Sequence, residues 1–176
     1  MHRSLVAALV LLVAAMPLQA QEPMPMSAQP CPATPAPLPP ELAGWQGRTA
    51  IASASNVAGA GAATIVPGKG ADVALHPTPD VTYPVRPAHP GGSVSKGGIV
   101  AFRITDGGTY RVAIGSGAWI DVVREGQAVT STAHSPGPPC SGIRKMVDFA
   151  LTPGAYVLEI AGNGTSALPV LVTRLP

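Results

Sequence analysis

From residue 99 onward the chain alternates between apolar and polar residues with a period of two. IVAFRI (99–104) places Val100, Phe102 and Ile104 on one side. TYRVAIG (109–115) places Tyr110, Val112 and Ile114 on one side, with Arg111 and Ala113 opposite. Residues 118–124 give Ile120 and Val122 to one face and Trp119, Asp121 and Val123 to the other. Residues 145–152 present Val147, Phe149 and Leu151 against Met146, Asp148 and Ala150. Residues 155–161 carry Tyr156, Leu158 and Ile160, and 168–174 carry Val170 and Val172. Side chains of a strand point alternately to its two faces, so this period means half-buried strands and leaves no helical stripe. Turn residues separate the runs: Asp106-Gly107-Gly108, Gly115-Ser116-Gly117, Glu125-Gly126, Pro153-Gly154 and Asn163-Gly164. Glu125-Gly126 reads as a tight hairpin leading into a strand over 127–133, and Pro153-Gly154 as a type II turn. Strands at this spacing predict an all-β fold, an antiparallel β-sandwich of jelly-roll-like form.

The part before residue 99 is less regular. Residues 5–16 (LVAALVLLVAAM) follow a single Arg and precede Leu18-Gln19-Ala20, which reads as a signal peptide cleaved after Ala20. That apolar run is shorter than the roughly 20 residues needed to span a bilayer. The expected product is periplasmic or extracellular, with no membrane span in the mature chain. Residues 21–40 contain eight prolines and form an extended Pro-rich arm. Residues 41–98 are rich in Gly, Ala and Pro. Short strands are expected near 49–53, 64–66 and 71–75, and loop or edge strand over 76–98. The chain therefore divides into signal peptide (1–20), arm (21–40), a Gly/Ala/Pro-rich part of the sandwich (41–98) and its core strands (99–176).

Charge and cysteine content narrow the function. Charged residues make up 11% of the chain and the net charge is +2. Such a balance gives no electrostatic basis for binding nucleic acid or an anionic membrane. The two cysteines, Cys31 and Cys140, enter an oxidising compartment and are expected to form a disulfide tying the arm to the domain.

The phrases AFRITDGGTYRVAIGSGAWIDVVREGQAV, VDFALTPGAYVLEIAG and LPVLVTR resemble the bacterial pre-peptidase C-terminal domain. Gly108-Thr109-Tyr110 and the run from Leu151 to Leu158 carry the match, which spans about 75 residues. That family is a jelly-roll-like sandwich appended to exported proteins, and the resemblance implies auxiliary binding without catalysis. The text from Ala118 to Ile160 is also similar to small exported proteins of sphingomonad-type alphaproteobacteria, some bearing the name homogentisate 1,2-dioxygenase. That name implies an iron held by two His and one Glu in a cupin-like enzyme far longer than this chain.

The residues support binding better than that chemistry. Past the signal peptide the histidines are His76, His89 and His134, with no His-x-His pair on a strand. No Gly-x-Ser-x-Gly elbow, P-loop or placed carboxylate pair is present. No cofactor is predicted, and iron only under the dioxygenase alternative. Trp119 and Asp121 point away from Ile120 and Val122. Either a further layer covers them, or Trp119 is an exposed platform for a sugar or protein. The loop between His134 and Lys145 is Pro-rich, read as a connection crossing between sheets. Arg144 and Lys145, with the amides of Ser141-Gly142-Ile143, are candidate anion binders. The expected binding residues are thus Trp119, Asp121, His134, Arg144 and Lys145. Their partner would be a glycan, a protein or a small molecule.

Overall fold

The computed structural model describes residues 30–33 and 36–176. The expected signal peptide, its cleavage after Ala20 and most of the Pro-rich arm lie outside these residues. Strands β1 (Thr49–Ala52), β2 (Gly70–Ala74), β3 (His76–Pro77), β4 (Lys96–Ile104), β5 (Gly108–Ile114) and β6 (Trp119–Arg124) are followed by β7 (Gln127–Ala128), β8 (Ser131–Ser135), β9 (Lys145–Leu151), β10 (Gly154–Asn163) and β11 (Ala167–Arg174). They form two sheets, ordered β1-β2-β11-β5-β9-β8 and β3-β4-β10-β6-β7. The fold is an all-β sandwich.

The period-two residues meet between the sheets. Val112, Ile114, Val147, Phe149, Val170 and Val172 come from the first sheet. Val100, Phe102, Ile120, Val122, Leu158 and Ile160 come from the second, all in one buried cluster. Phe102 stacks on Tyr156 with ring centroids 5.5 Å apart. Burying such side chains stabilises the domain by about 1.5–3 kcal/mol each before entropy is counted.

All strand pairs are antiparallel except β1 with β2. Residues 53–69 give that parallel pair the long return it needs. They include a 3-10 helix over Val57–Ala62, whose Asn56 side chain accepts the Gly59 N–H at 3.1 Å. The strand expected at 64–66 reduces to one bridge, Thr64 to Ala101. The run expected over 127–133 is broken in two: β7 belongs to one sheet and β8 to the other. The Pro-rich loop 136–144 does not cross between sheets, because β8 and β9 are neighbours in the same one.

The crossings occur elsewhere. β4 and β5 lie in different sheets, as do β9 and β10, so the LTPGAYVL stretch makes a corner instead of a hairpin. Two tyrosines pin these corners: Tyr110 OH donates to Asp106 O at 2.9 Å and Tyr156 OH to Thr152 O at 2.8 Å. Tyr156 OH also accepts the Thr152 N–H at 3.1 Å. Tyr156→Phe is therefore expected to lower stability by about 1–2 kcal/mol, read by urea unfolding.

Both outer faces are partly covered. Leu42 and Trp45 of the 3-10 helix Pro40–Trp45 pack with Ile143 on Ala113, Met146 and Leu171. Ala113 and Met146 thus point outward, as their register demands, and are still buried. On the same face Arg111 donates to both oxygens of Asp148 at 2.7 and 2.8 Å. Residues 81–95 lie as a strap over the other sheet. Tyr83 OH donates to Ile160 O at 2.8 Å, and Val85 N–H to Glu159 Oε1 at 2.8 Å. Gly97 permits this approach, since a Cβ there would meet the Tyr83 hydroxyl. The Cys31–Cys140 disulfide is formed, with Cα atoms 5.6 Å apart. Among the described residues no helix is long and apolar enough to cross a membrane.

Candidate functional site

The site begins with a strand that loses its neighbour. Glu125 and Gly126 adopt φ of 52° and 76°, the left-handed pair that closes a two-residue hairpin. The returning strand β7 pairs only Val123 with Ala128 and Arg124 with Gln127. A last backbone bond runs from Val129 N–H to Val122 O at 2.7 Å, after which the chain leaves for the other sheet. Residues Trp119, Ile120 and Asp121 are therefore paired with β10 on one side only.

A cleft of about 490 Å³ opens there. Its buried wall is Ile120, Val147 and Phe149, with half-buried Val129. Residues Ala128, Thr130 and Ser131 line the far side, and Trp119, Asp121, His134 and Lys145 complete the lining. The volume falls within the range of small-molecule sites, and an apolar wall with a few polar groups is their usual make-up.

Four of the five sequence-predicted residues thus share one cleft; Arg144 is exposed and lies outside it. Two of the three loop amides named as anion donors already have partners within the loop. Ser141 N–H donates to Pro138 O at 3.2 Å and Ile143 N–H to Ser141 Oγ at 3.0 Å, so the loop's own atoms occupy these donors. Trp119 is half-buried and is not a bare platform. Its Nε1–H donates to Asp121 Oδ2 at 2.6 Å. The His89 ring meets it edge-on at 4.6 Å, and Lys145 Nζ stands 5.3 Å from its ring centroid. Lys145 Nζ also donates to Ala118 O at 3.1 Å. Burial lowers the Lys145 pKa, while the Asp121 charge acts in the opposite direction.

Behind the cleft, Glu159 is paired in register with Asp121 and is 1% exposed. Its Oε1 accepts the Val85 N–H, and Oε2 has no partner among the described residues. Burial pushes its pKa up to about 7, against the pull of the Val85 hydrogen bond, and the Asp121 charge adds to the rise. Burial, with the Glu159 charge, pushes the Tyr83 hydroxyl up to about 12.

Among the described residues the iron alternative finds no matching donor set. His76 Nε2 lies 2.8 Å from Ser53 O, His89 packs on Trp119, and His134 lines the cleft. Among the described residues no three His, Cys, Asp or Glu side chains converge to hold a metal ion. The sequence had not singled out Val129, the strap carrying Tyr83, Val85 and His89, or the burial of Glu159. The strap has no period, and Glu159 differs from an exposed alternating residue only through what covers it. Set against known proteins, the chain matches no family model and no curated protein.

Proposed function

We propose that this protein is an exported, non-catalytic binding module that takes its ligand at the cleft beside β6. The observation that carries this reading is the meeting of Trp119, Asp121, His134 and Lys145 around one open, carbon-walled cleft at an unpaired strand edge. The resemblance to pre-peptidase C-terminal domains agrees with it, since those domains serve as auxiliary binders. The signal-peptide pattern of residues 1–20 supports export to the periplasm or beyond, and a disulfide fits an oxidising compartment. The ligand class at this level is a glycan, a protein segment or a small molecule.

Filling the cleft tests the reading. Purified protein and its Val129→Trp variant are screened by thermal shift against glycan, peptide and metabolite libraries. The expected result is a ligand that raises the melting temperature of the parent protein and leaves the filled variant unmoved. Ligands that stabilise both proteins equally would place binding elsewhere. For a ligand that passes, Trp119→Ala is expected to weaken binding by about tenfold or more, measured by calorimetry, through loss of the ring and of its hold on Lys145 and Asp121.

A further inference from the structure

Resting on that reading of the cleft, we infer that its ligand is a small amphiphilic carboxylate, its head held by Lys145 Nζ and the Ile120 amide and its apolar body lying against Val129, Val147 and Phe149.

The head-group assignment follows from the edge of β6. Ala118 O accepts from Lys145 Nζ at 3.1 Å, and Val122 O accepts from Val129 N–H at 2.7 Å. Backbone groups two residues apart on a strand face the same way, so the N–H and C=O of Ile120 face the cleft between those two bonds. Among the described residues no strand pairs with Ile120 on that side. The Ile120 amide and the Lys145 ammonium are thus neighbouring donors along one edge. An ammonium offers three N–H donors, and Ala118 O takes one.

Lys145 is half-buried and forms no ion pair among the described residues. A cation drawn out of water beside a carbon wall gains most from a complementary anion brought by the ligand. Asp121 does not fill that role. Its Oδ2 is taken by the Trp119 indole, and it makes no salt bridge to Lys145. Its nearby charge instead helps Lys145 remain protonated. An ammonium head would meet the Lys145 charge, and a neutral head would leave that charge uncompensated. Beyond the head, Val129, Val147 and Phe149 offer only carbon to the body.

The test uses three probes with one tail: octanoate, octanol and octylamine. Binding is followed by tryptophan emission, because Trp119 lines the cleft while Trp45, the other tryptophan, is 3% exposed. Octanoate is expected to saturate the signal at concentrations about tenfold or more below octanol, with no response to octylamine. Lys145→Met is expected to bind octanoate and octanol alike, and Lys145→Arg to keep the preference for the acid, with thermal melts verifying that both variants fold. Equal binding of acid and alcohol to the parent protein, or an undiminished preference in Lys145→Met, overturns the head-group assignment and leaves the cleft in place as a site. A silent octanoate titration overturns the assignment too. The library screen against Val129→Trp then judges the cleft separately.

Discussion

Removing the Cys31–Cys140 bond is expected to lower the unfolding free energy by about 4–5 kcal/mol, taken as the constraint a crosslink places on the unfolded chain. The bond joins residues 109 apart, so it closes a loop through most of the described domain. Its contribution lies chiefly in the unfolded state, because the native contacts nearby do not run through it. Leu38, Leu42 and Trp45 pack on the outer face of the first sheet, and Trp45 Nε1–H donates to Ser141 O at 3.0 Å. Calorimetric unfolding of the double variant Cys31→Ser/Cys140→Ser should therefore show a melting temperature lower by about 10 °C or more with the β spectrum intact. Cys140 sits at φ 59°, a left-handed conformation that asparagine tolerates better than serine. Cys31→Ser/Cys140→Asn should recover a few tenths to about 1 kcal/mol of the loss. A loss under about 1 kcal/mol in the serine pair would show that the unfolded chain is already compact without the crosslink.

The second large effect is a dependence on pH set by Glu159. Its folded pKa of about 7 stands above the ordinary value of 4.5, so between these values the folded state holds a proton that the unfolded state has released. Stability from this group is then present in full below the unfolded pKa, declines as pH rises toward 7, and is flat beyond. At about 1.4 kcal/mol per pKa unit, moving from pH 5 to pH 8 should lower stability by about 2–3 kcal/mol. The groups facing this carboxyl are Asp121 across the strand pair and Val85 and Tyr83 from the strap. Glu159→Gln keeps an oxygen to accept the Val85 N–H and carries no charge. The variant should lose that part of the pH slope, and the difference between the two denaturant series at pH 5 and pH 8 isolates it. Parallel slopes for parent and variant would mean that Glu159 ionises as an exposed glutamate does.

The histidines and carboxylates show how far the sequence could be followed. It identified Trp119, Asp121, His134 and Lys145 as the side chains to watch, because each stood in or beside the strand-loop-strand text around the Pro-rich segment. It grouped them with Arg144, which lies outside the cleft, and with the Ser141–Ile143 amides, of which those of Ser141 and Ile143 bond within the loop. Neighbours in sequence across a loop share a site only if their side chains leave the backbone in the same direction. Lys145 and Arg144 do not. Val129 carries no signal of its own, since within a single run over 127–133 it is one more strand residue. The break after Val129 is what turns it into a wall of the cleft.

From residue 99 onward, most of the side chains that face the core were legible in the sequence alone. Alternation is a local property, legible within six residues, and Val100, Phe102, Val112, Ile114, Val147, Phe149, Leu158 and Ile160 all lie where it places them. With only two cysteines expected to pair, the disulfide was legible as well. The tertiary structure decided which sheet each strand joins, where the chain crosses over and which outer residues are covered. Those choices depend on pairing between segments far apart in the chain and on two coverings, residues 38–45 and 81–95, that carry no period of their own. The cleft, the half-buried Lys145 and the raised pKa of Glu159 all arise at that level, because burial is a property of what lies on top of a residue.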